Sequence, residues 1–154
     1  MDNPFLSGPK QFNQSWRSLR DQLTTDKTDV EQLQTVINYW ASAPTVGQFL
    51  DWANPSTWPD PWELMSSRNF DASALSLGMQ YTLLLGIDGR WTPDRLRLAL
   101  VVLSDRSSQY ITLIVDNHYL LNFRYKTVVE LNSVSNEFAI QHYYTYTNKT
   151  HKIE

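Results

Sequence analysis

WPDPWELMSSRNFDASALSLGMQYTLLL, residues 58–85, is the stretch whose reading decides the fold. It opens as a loop rich in Pro and Trp. Asp60 then precedes Pro61, with Glu63 three positions beyond the Asp, which is the pattern of a capped short helix. Asp71-Ala72-Ser73 starts a second helix, expected from about Ala72 to Leu85. Leu75, Met79, Leu83 and the pair Ala74/Leu77 face inward on it. Because it is apolar nearly all round, it is the expected buried central helix, and Gly86 is placed to end it. Backbone N–H groups and the helix dipole gather at such a helix start and stabilise a thiolate. The chain contains no cysteine at all.

Upstream, residues 1–13 hold two prolines and a glycine and read as a flexible arm. Phe12, Trp16, Leu19 and Leu23 recur at helical steps. Thr28 and Glu31 form a capping-box pattern, and Val30, Leu33, Val36, Ile37 and Trp40 follow on one face. Pro44 closes that second helix. Residues 44–60 carry Trp52 and Trp58 and are too apolar for a free linker, so they are expected to pack across the body.

Downstream of Asp88-Gly89 the pattern changes to strand. LRLALVVL (96–103), QYITLIV (109–115), HYLLNFR (118–124), TVVEL (127–131) and EFAIQHYYTY (137–146) are β-rich and separated by short polar breaks. Asp116-Asn117 lies between two apolar runs as a tight hairpin candidate. Helices first and an antiparallel sheet second define an α+β fold. Residues 14–147 are expected to form a single domain, with 148–154 as a frayed tail.

At 154 residues the chain suffices to bury about 70% of its unfolded surface. The 13% aromatic content, with six Trp and eight Tyr, must be housed in a core or an interface. Net charge is −3, with no long run of either sign, which argues against a phosphate-tracking nucleic-acid surface. Arg90, Arg95, Arg97 and Arg106 nevertheless fall close enough together to make one basic patch. Without cysteine there are no disulfides and no thiolate ligands. The N-terminus lacks the basic start and apolar core of a signal peptide, and no apolar run approaches the roughly 20 residues of a membrane span. These features predict a soluble protein folded in the cytoplasm, with no membrane contact.

A family resemblance appears at this point. A buried helix behind a Trp/Pro loop, followed by an antiparallel sheet, resembles the transglutaminase-like branch of the papain-like fold. DPWELM (60–65), SLGMQYTLLL (76–85), GRWTPDRLRLAL (89–100) and LIVDNHYLLNF (113–123) are similar to segments of small proteins of tailed bacteriophages, particularly those of marine and cyanobacterial hosts. The resemblance covers roughly residues 36–145. The enzymes of the superfamily use a cysteine at the helix start, a histidine on a strand and an Asp or Asn about ten residues later. Carried over by position, the resemblance places the cysteine at Asp71 or Ala72, the histidine at Thr112 and the acid at Asn122. Only Asn122 keeps related chemistry. The resemblance therefore implies the fold without the activity.

Other chemistries find little support in the residues themselves. Ser73 lies beside the nucleophile position, but none of His118, His142 and His151 has a spacing that ties it to Ser73, and a helix-cap role is preferred. The three histidines are too scattered for a metal site. Asp51, Asp60, Glu63 and Asp71 are better explained by capping than as the facing carboxylates of a glycosidase. Neither a P-loop nor a GxGxxG occurs, so no cofactor is expected. Trp58 and Trp62 are expected in core packing, with a stacking role as the alternative. The alternating Tyr143, Tyr144 and Tyr146 suit either a partner surface or an ordinary edge strand.

The expected function is a noncatalytic structural protein of a phage particle, at the neck, tail or baseplate, whose partners are other virion proteins or copies of itself. The alternative is a binding module that grips a peptide or glycan in the old cleft, lined by Trp58, Trp62 and Tyr81. A displaced serine hydrolase is the third reading.

Overall fold

Four helices precede a single six-stranded sheet in the computed structural model, which describes residues 3–46, 50–106, 108–123 and 126–154. The helices are α1 (Pro9–Asp21), α2 (Asp29–Trp40), α3 (Pro61–Ser67) and α4 (Ala72–Leu84). The strands are β1 (Leu96–Leu103), β2 (Gln109–Val115), β3 (Tyr119–Leu121), β4 (Val129–Glu130), β5 (Phe138–Thr147) and β6 (Thr150–Ile153). They are ordered β4-β3-β2-β1-β5-β6, and every neighbouring pair is antiparallel. The α+β class follows from the sequence order of the two kinds of element.

Local chemistry explains the helix boundaries. Thr28 and Glu31 form a complete capping box on α2, and Asp60 and Glu63 form one on α3 with Pro61 at its first position. Asp71 caps α4 by accepting the Ala74 N–H over 2.6 Å. The α4 helix is the central element, with ten of its residues buried. It lies on β1 and β2 with α1, α2 and α3 against its other sides. One core joins Trp16, Leu33, Trp40 and Leu77 to the sheet face formed by Leu98, Leu100, Ile111 and Leu113. The opposite sheet face, with Ala99, Val101 and Ile114, carries a second cluster completed by Val134 and Phe138.

The contact between α2 and α4 depends on two residues of α4. A Cβ on Gly78 would fall within the ring of Trp40, so the helices approach this closely only because Gly78 has none. One turn on, the Thr82 hydroxyl accepts the indole N–H groups of Trp16 (3.0 Å) and Trp40 (3.1 Å) and donates to Gly78 O (2.7 Å). Two buried tryptophans are thus satisfied by one oxygen.

Three expectations are corrected. Residues 3–13 are not a free arm. Pro4–Leu6 is a 3-10 turn, α1 begins at Pro9, and Phe5 is buried against Phe12, Tyr39, Trp40 and Phe70. Arg68 ties this segment down by donating to Ser7 O over 2.6 Å. Nor is the C-terminal segment frayed. Asn148 and Lys149, both at positive φ, make a two-residue turn into β6, and His151 is buried there. Val30 is 42% exposed rather than inward, because it sits in the first turn of α2 ahead of the residues that meet the core. By contrast Gln32, a residue that periodicity does not mark, is fully buried and bonds Thr24 O, Asp88 and Trp91.

Candidate functional site

The first turn of α4 meets the start of β2, the place where a nucleophile would sit. Leu103 N–H donates to Ser108 O, and the antiparallel alternation then turns the N–H and C=O of Ile111 away from β1. The short β3 pairs only with residues 113–115, so no strand reaches Ile111 on that side. Two serines of α4 take the strand's place. Ser73 Oγ accepts the Ile111 N–H over 3.0 Å, and Ser76 Oγ donates to Ile111 O over 2.7 Å. Farther along the same helix face, Gln80 Nε2 donates to Leu96 O over 3.1 Å. The buried polar residues of α4 thus finish the sheet.

Ser73 is 1% exposed, and its Oγ also accepts the Trp52 indole N–H over 3.1 Å. Its two lone pairs are taken by N–H donors, so the oxygen has none left for attack. No histidine reaches it. His142 lies opposite Leu100, itself opposite Ile111, which places it two strands or roughly 10 Å across the sheet. His118 sits at the far hairpin of β2, beside Tyr119. His151 Nε2 is 2.8 Å from Gln80 Oε1. The role of Ser73 is to join helix, sheet and loop; Asp71, not Ser73, caps the helix.

The carried-over positions separate. Asn122 Nδ2 donates to Ala72 O over 2.6 Å and to Ser76 Oγ over 2.8 Å, so these two positions do meet. Thr112 does not join them. Side chains alternate along β2, and Ile111 and Leu113 face α4 while Thr112 faces the other side, where its hydroxyl donates to Leu121 O over 2.8 Å. The position on β2 that faces the start of α4 is Ile111, one residue earlier, and it is fully buried and apolar.

The aromatic candidates fall into three places. Trp58, Tyr81, Tyr144 and Tyr146 gather with His151 in a cluster between the Trp loop and β5–β6, with Trp58 on Tyr144 at 4.8 Å and Tyr146 on His151 at 4.4 Å. Tyr81 donates to Pro59 O and Tyr144 to Trp52 O, which fastens the loop down. Burial pushes the Tyr81 hydroxyl far up, raises that of Tyr144 to about 12, and holds His151 down at about 3. Trp58, Tyr81, Tyr144 and His151 are packed core, and half-buried Tyr146 lines a groove at its edge. Tyr143 lies on the opposite sheet face under the Arg97 guanidinium, 3.7 Å from its ring centroid. Trp62 is apart from both and 57% exposed, because it points toward α1 rather than beneath α4.

The charged candidates are also engaged. Asp51 accepts from Ala53 N–H and Asn54 Nδ2, a turn that lowers its pKa. Arg90 pairs with Asp29 and Asp88, Arg95 with Asp29 and Asp116, and Arg97 with Glu154. Arg90, Arg95 and Arg97 therefore build a salt-bridge network rather than a cationic patch, and Arg106 stands outside it. A groove of about 810 Å³ beside Arg95 and Arg97 is flanked by these neutralised charges. Among the described residues no group of three or more His, Asp or Glu is placed to hold a metal, and no helix is long and apolar enough to cross a membrane.

A buried helix set against an antiparallel sheet, with the other helices packed around it, is the transglutaminase-like fold. Solved structures of Legionella pneumophila LapG share it. The calcium-bound form aligns with a TM-score of 0.72 at 14% identity, covering 96% of this chain and 81% of LapG. The EGTA-treated form aligns at 0.70 and 15%, covering 89% and 74%, and a further LapG structure at 0.70 and 15%, covering 89% and 75%. At such identities the likeness establishes the fold. No family model and no curated protein matches the sequence.

Proposed function

We propose that this chain is a noncatalytic protein of transglutaminase-like fold that acts through contacts with other proteins, as a structural component of a bacteriophage particle at the neck, tail or baseplate. The observation that carries the noncatalytic reading is the use of Ser73 Oγ as a double acceptor, from Ile111 N–H and Trp52 Nε1–H, next to a cysteine-free helix start. The phage placement rests on the likeness of residues 60–65, 76–85, 89–100 and 113–123 to small phage proteins. The buried state of Trp58, Tyr81 and Tyr144 weighs against a ligand-gripping cleft and for contacts made on the outer surface.

Native mass spectrometry across a concentration series, run beside a casein hydrolysis and amine-crosslinking assay, tests the reading. The expected result is a discrete oligomer or concentration-driven assembly with no turnover. Hydrolysis or crosslinking that disappears in Ser73→Ala would overturn it.

A further inference from the structure

Trp62, in the first turn of α3, packs edge-on against buried Trp16 of α1 with ring centroids 5.4 Å apart, yet remains 57% exposed. The Arg20 guanidinium lies 4.4 Å from the Trp16 ring centroid and 5.6 Å from that of Trp62. A hollow of about 250 Å³ opens here, walled by these three residues together with Arg17 and Met65. On the far side of Arg20, its carbonyl accepts the Ile87 N–H over 3.1 Å, and the Ile87 side chain is 62% exposed.

The arginines of this hollow differ from those near the sheet. Arg90, Arg95 and Arg97 are all paired with carboxylates. Arg20 Nε is closed to water and has no hydrogen-bond partner, and among the described residues neither Arg17 nor Arg20 makes an ion pair. Asp21, next in the chain, acts on Arg20 only at longer range, while Arg17 repels it. Arg17 and Arg20 thus line the hollow with no carboxylate in ion-pair reach, and a carboxylate entering it would gain charge-assisted bonds from their accessible N–H groups.

Size and composition select the occupant. The hollow is smaller than the roughly 300–1,000 Å³ of small-molecule sites, and it suits a single side chain. An exposed Trp stacked beside an Arg is the composition of a protein-binding hot spot. We propose that the α1–α3 seam docks an acidic peptide segment of a protein partner, with one carboxylate side chain in the hollow beside Arg17 and Arg20 and an apolar neighbour on Trp62. This rests on the reading that the chain acts through protein contacts, and it names the surface and the chemistry recognised.

The test uses the full chain and a fluorescein-labelled peptide of alternating Glu and Leu, with a Gln/Leu peptide as control, in anisotropy titrations. Binding of the Glu peptide is expected to be at least about tenfold tighter than that of the Gln peptide. It should weaken about tenfold in Arg20→Gln and in Trp62→Ala, less in exposed Arg17→Gln, and stay within about twofold in Arg97→Gln. No binding, equal affinity for the two peptides, or an unchanged affinity in both Arg20→Gln and Arg17→Gln overturns the surface. Cleavage of the peptide counts against the noncatalytic reading instead, and the affinity ratios still decide the surface.

Discussion

The Asn122 side-chain amide donates to the carbonyl of Ala72 over 2.6 Å, closing the helix start with the one residue of the carried-over set that reaches it. Asn122 holds a left-handed backbone, φ 61°, at the end of β3 to do so. Asn tolerates that conformation and other side chains resist it. Asn122→Ala loses the two hydrogen bonds and adds backbone strain, whereas Asn122→Gly loses the bonds alone. Urea denaturation should show both variants destabilised, with the alanine variant lower by about 1 kcal/mol. Equal midpoints would remove the strain argument.

Installing a nucleophile should not install a reaction. Ala72 is exposed, and a cysteine there meets no base, because Thr112 points through the sheet and Ile111 occupies the facing position. Ala72→Cys is expected to react with iodoacetamide and to hydrolyse no peptide. Adding Thr112→His should leave hydrolysis absent as well. Turnover in that double variant would refute the assignment of faces on β2.

Gly78→Ala sets helix propensity against packing. Alanine favours a helix interior by about 1 kcal/mol over glycine, but its Cβ collides with the fully buried ring of Trp40. Overpacking costs of about 1–3 kcal/mol or more win. The expected result is a lower thermal midpoint, seen by calorimetry; a rise would mean that α2 yields freely.

Stability should fall with acid through His151. Burial holds the folded-state pKa near 3, below the roughly 6.5 of an unfolded chain. Between those values the unfolded state binds a proton that the folded state refuses, so stability is full above about pH 6.5 and declines as pH drops toward 3, by about 1.4 kcal/mol per unit. At pH 5 the loss is about 2 kcal/mol. Against their own burial, Asp29 is held low by Arg90 and Arg95 and Asp88 by Gln32 and Arg90, and they add a loss only below about pH 4. Urea midpoints from pH 7 to 4.5 should slope downward in the wild type and flatten in His151→Gln.

Much of the helical half is legible in the sequence because its signals are local. The boxes at Thr28/Glu31 and Asp60/Glu63, the Asp71 cap, and the all-round apolar character of residues 72–85 each act within a few residues. The Asp116-Asn117 turn is legible for the same reason, both residues standing at positive φ. What local patterns miss is long-range. Phe5 becomes ordered only by meeting Trp40 and Phe70, and β6 hides behind a turn whose second residue is Lys149, where glycine is usual. At the site, position matching puts the histidine place at Thr112, whose side chain faces away from α4, because neighbouring residues of a strand point to opposite faces.

The serines of α4 that complete β2 also constrain the chemistry that the helix start can carry. A cysteine in place of Ser73 would give Ile111 N–H and Trp52 Nε1–H a larger, weaker sulfur acceptor, at a cost approaching the about 1–3 kcal/mol of an unmet donor. A base at Ile111 would at the same time put an ionisable ring into a fully apolar contact. Each substitution toward a nucleophile–base pair here lowers stability before it yields any rate. The helix start is therefore bound to the sheet it completes: exchanging Ser73 or Ser76 for reactivity weakens or removes a hydrogen bond of the fold.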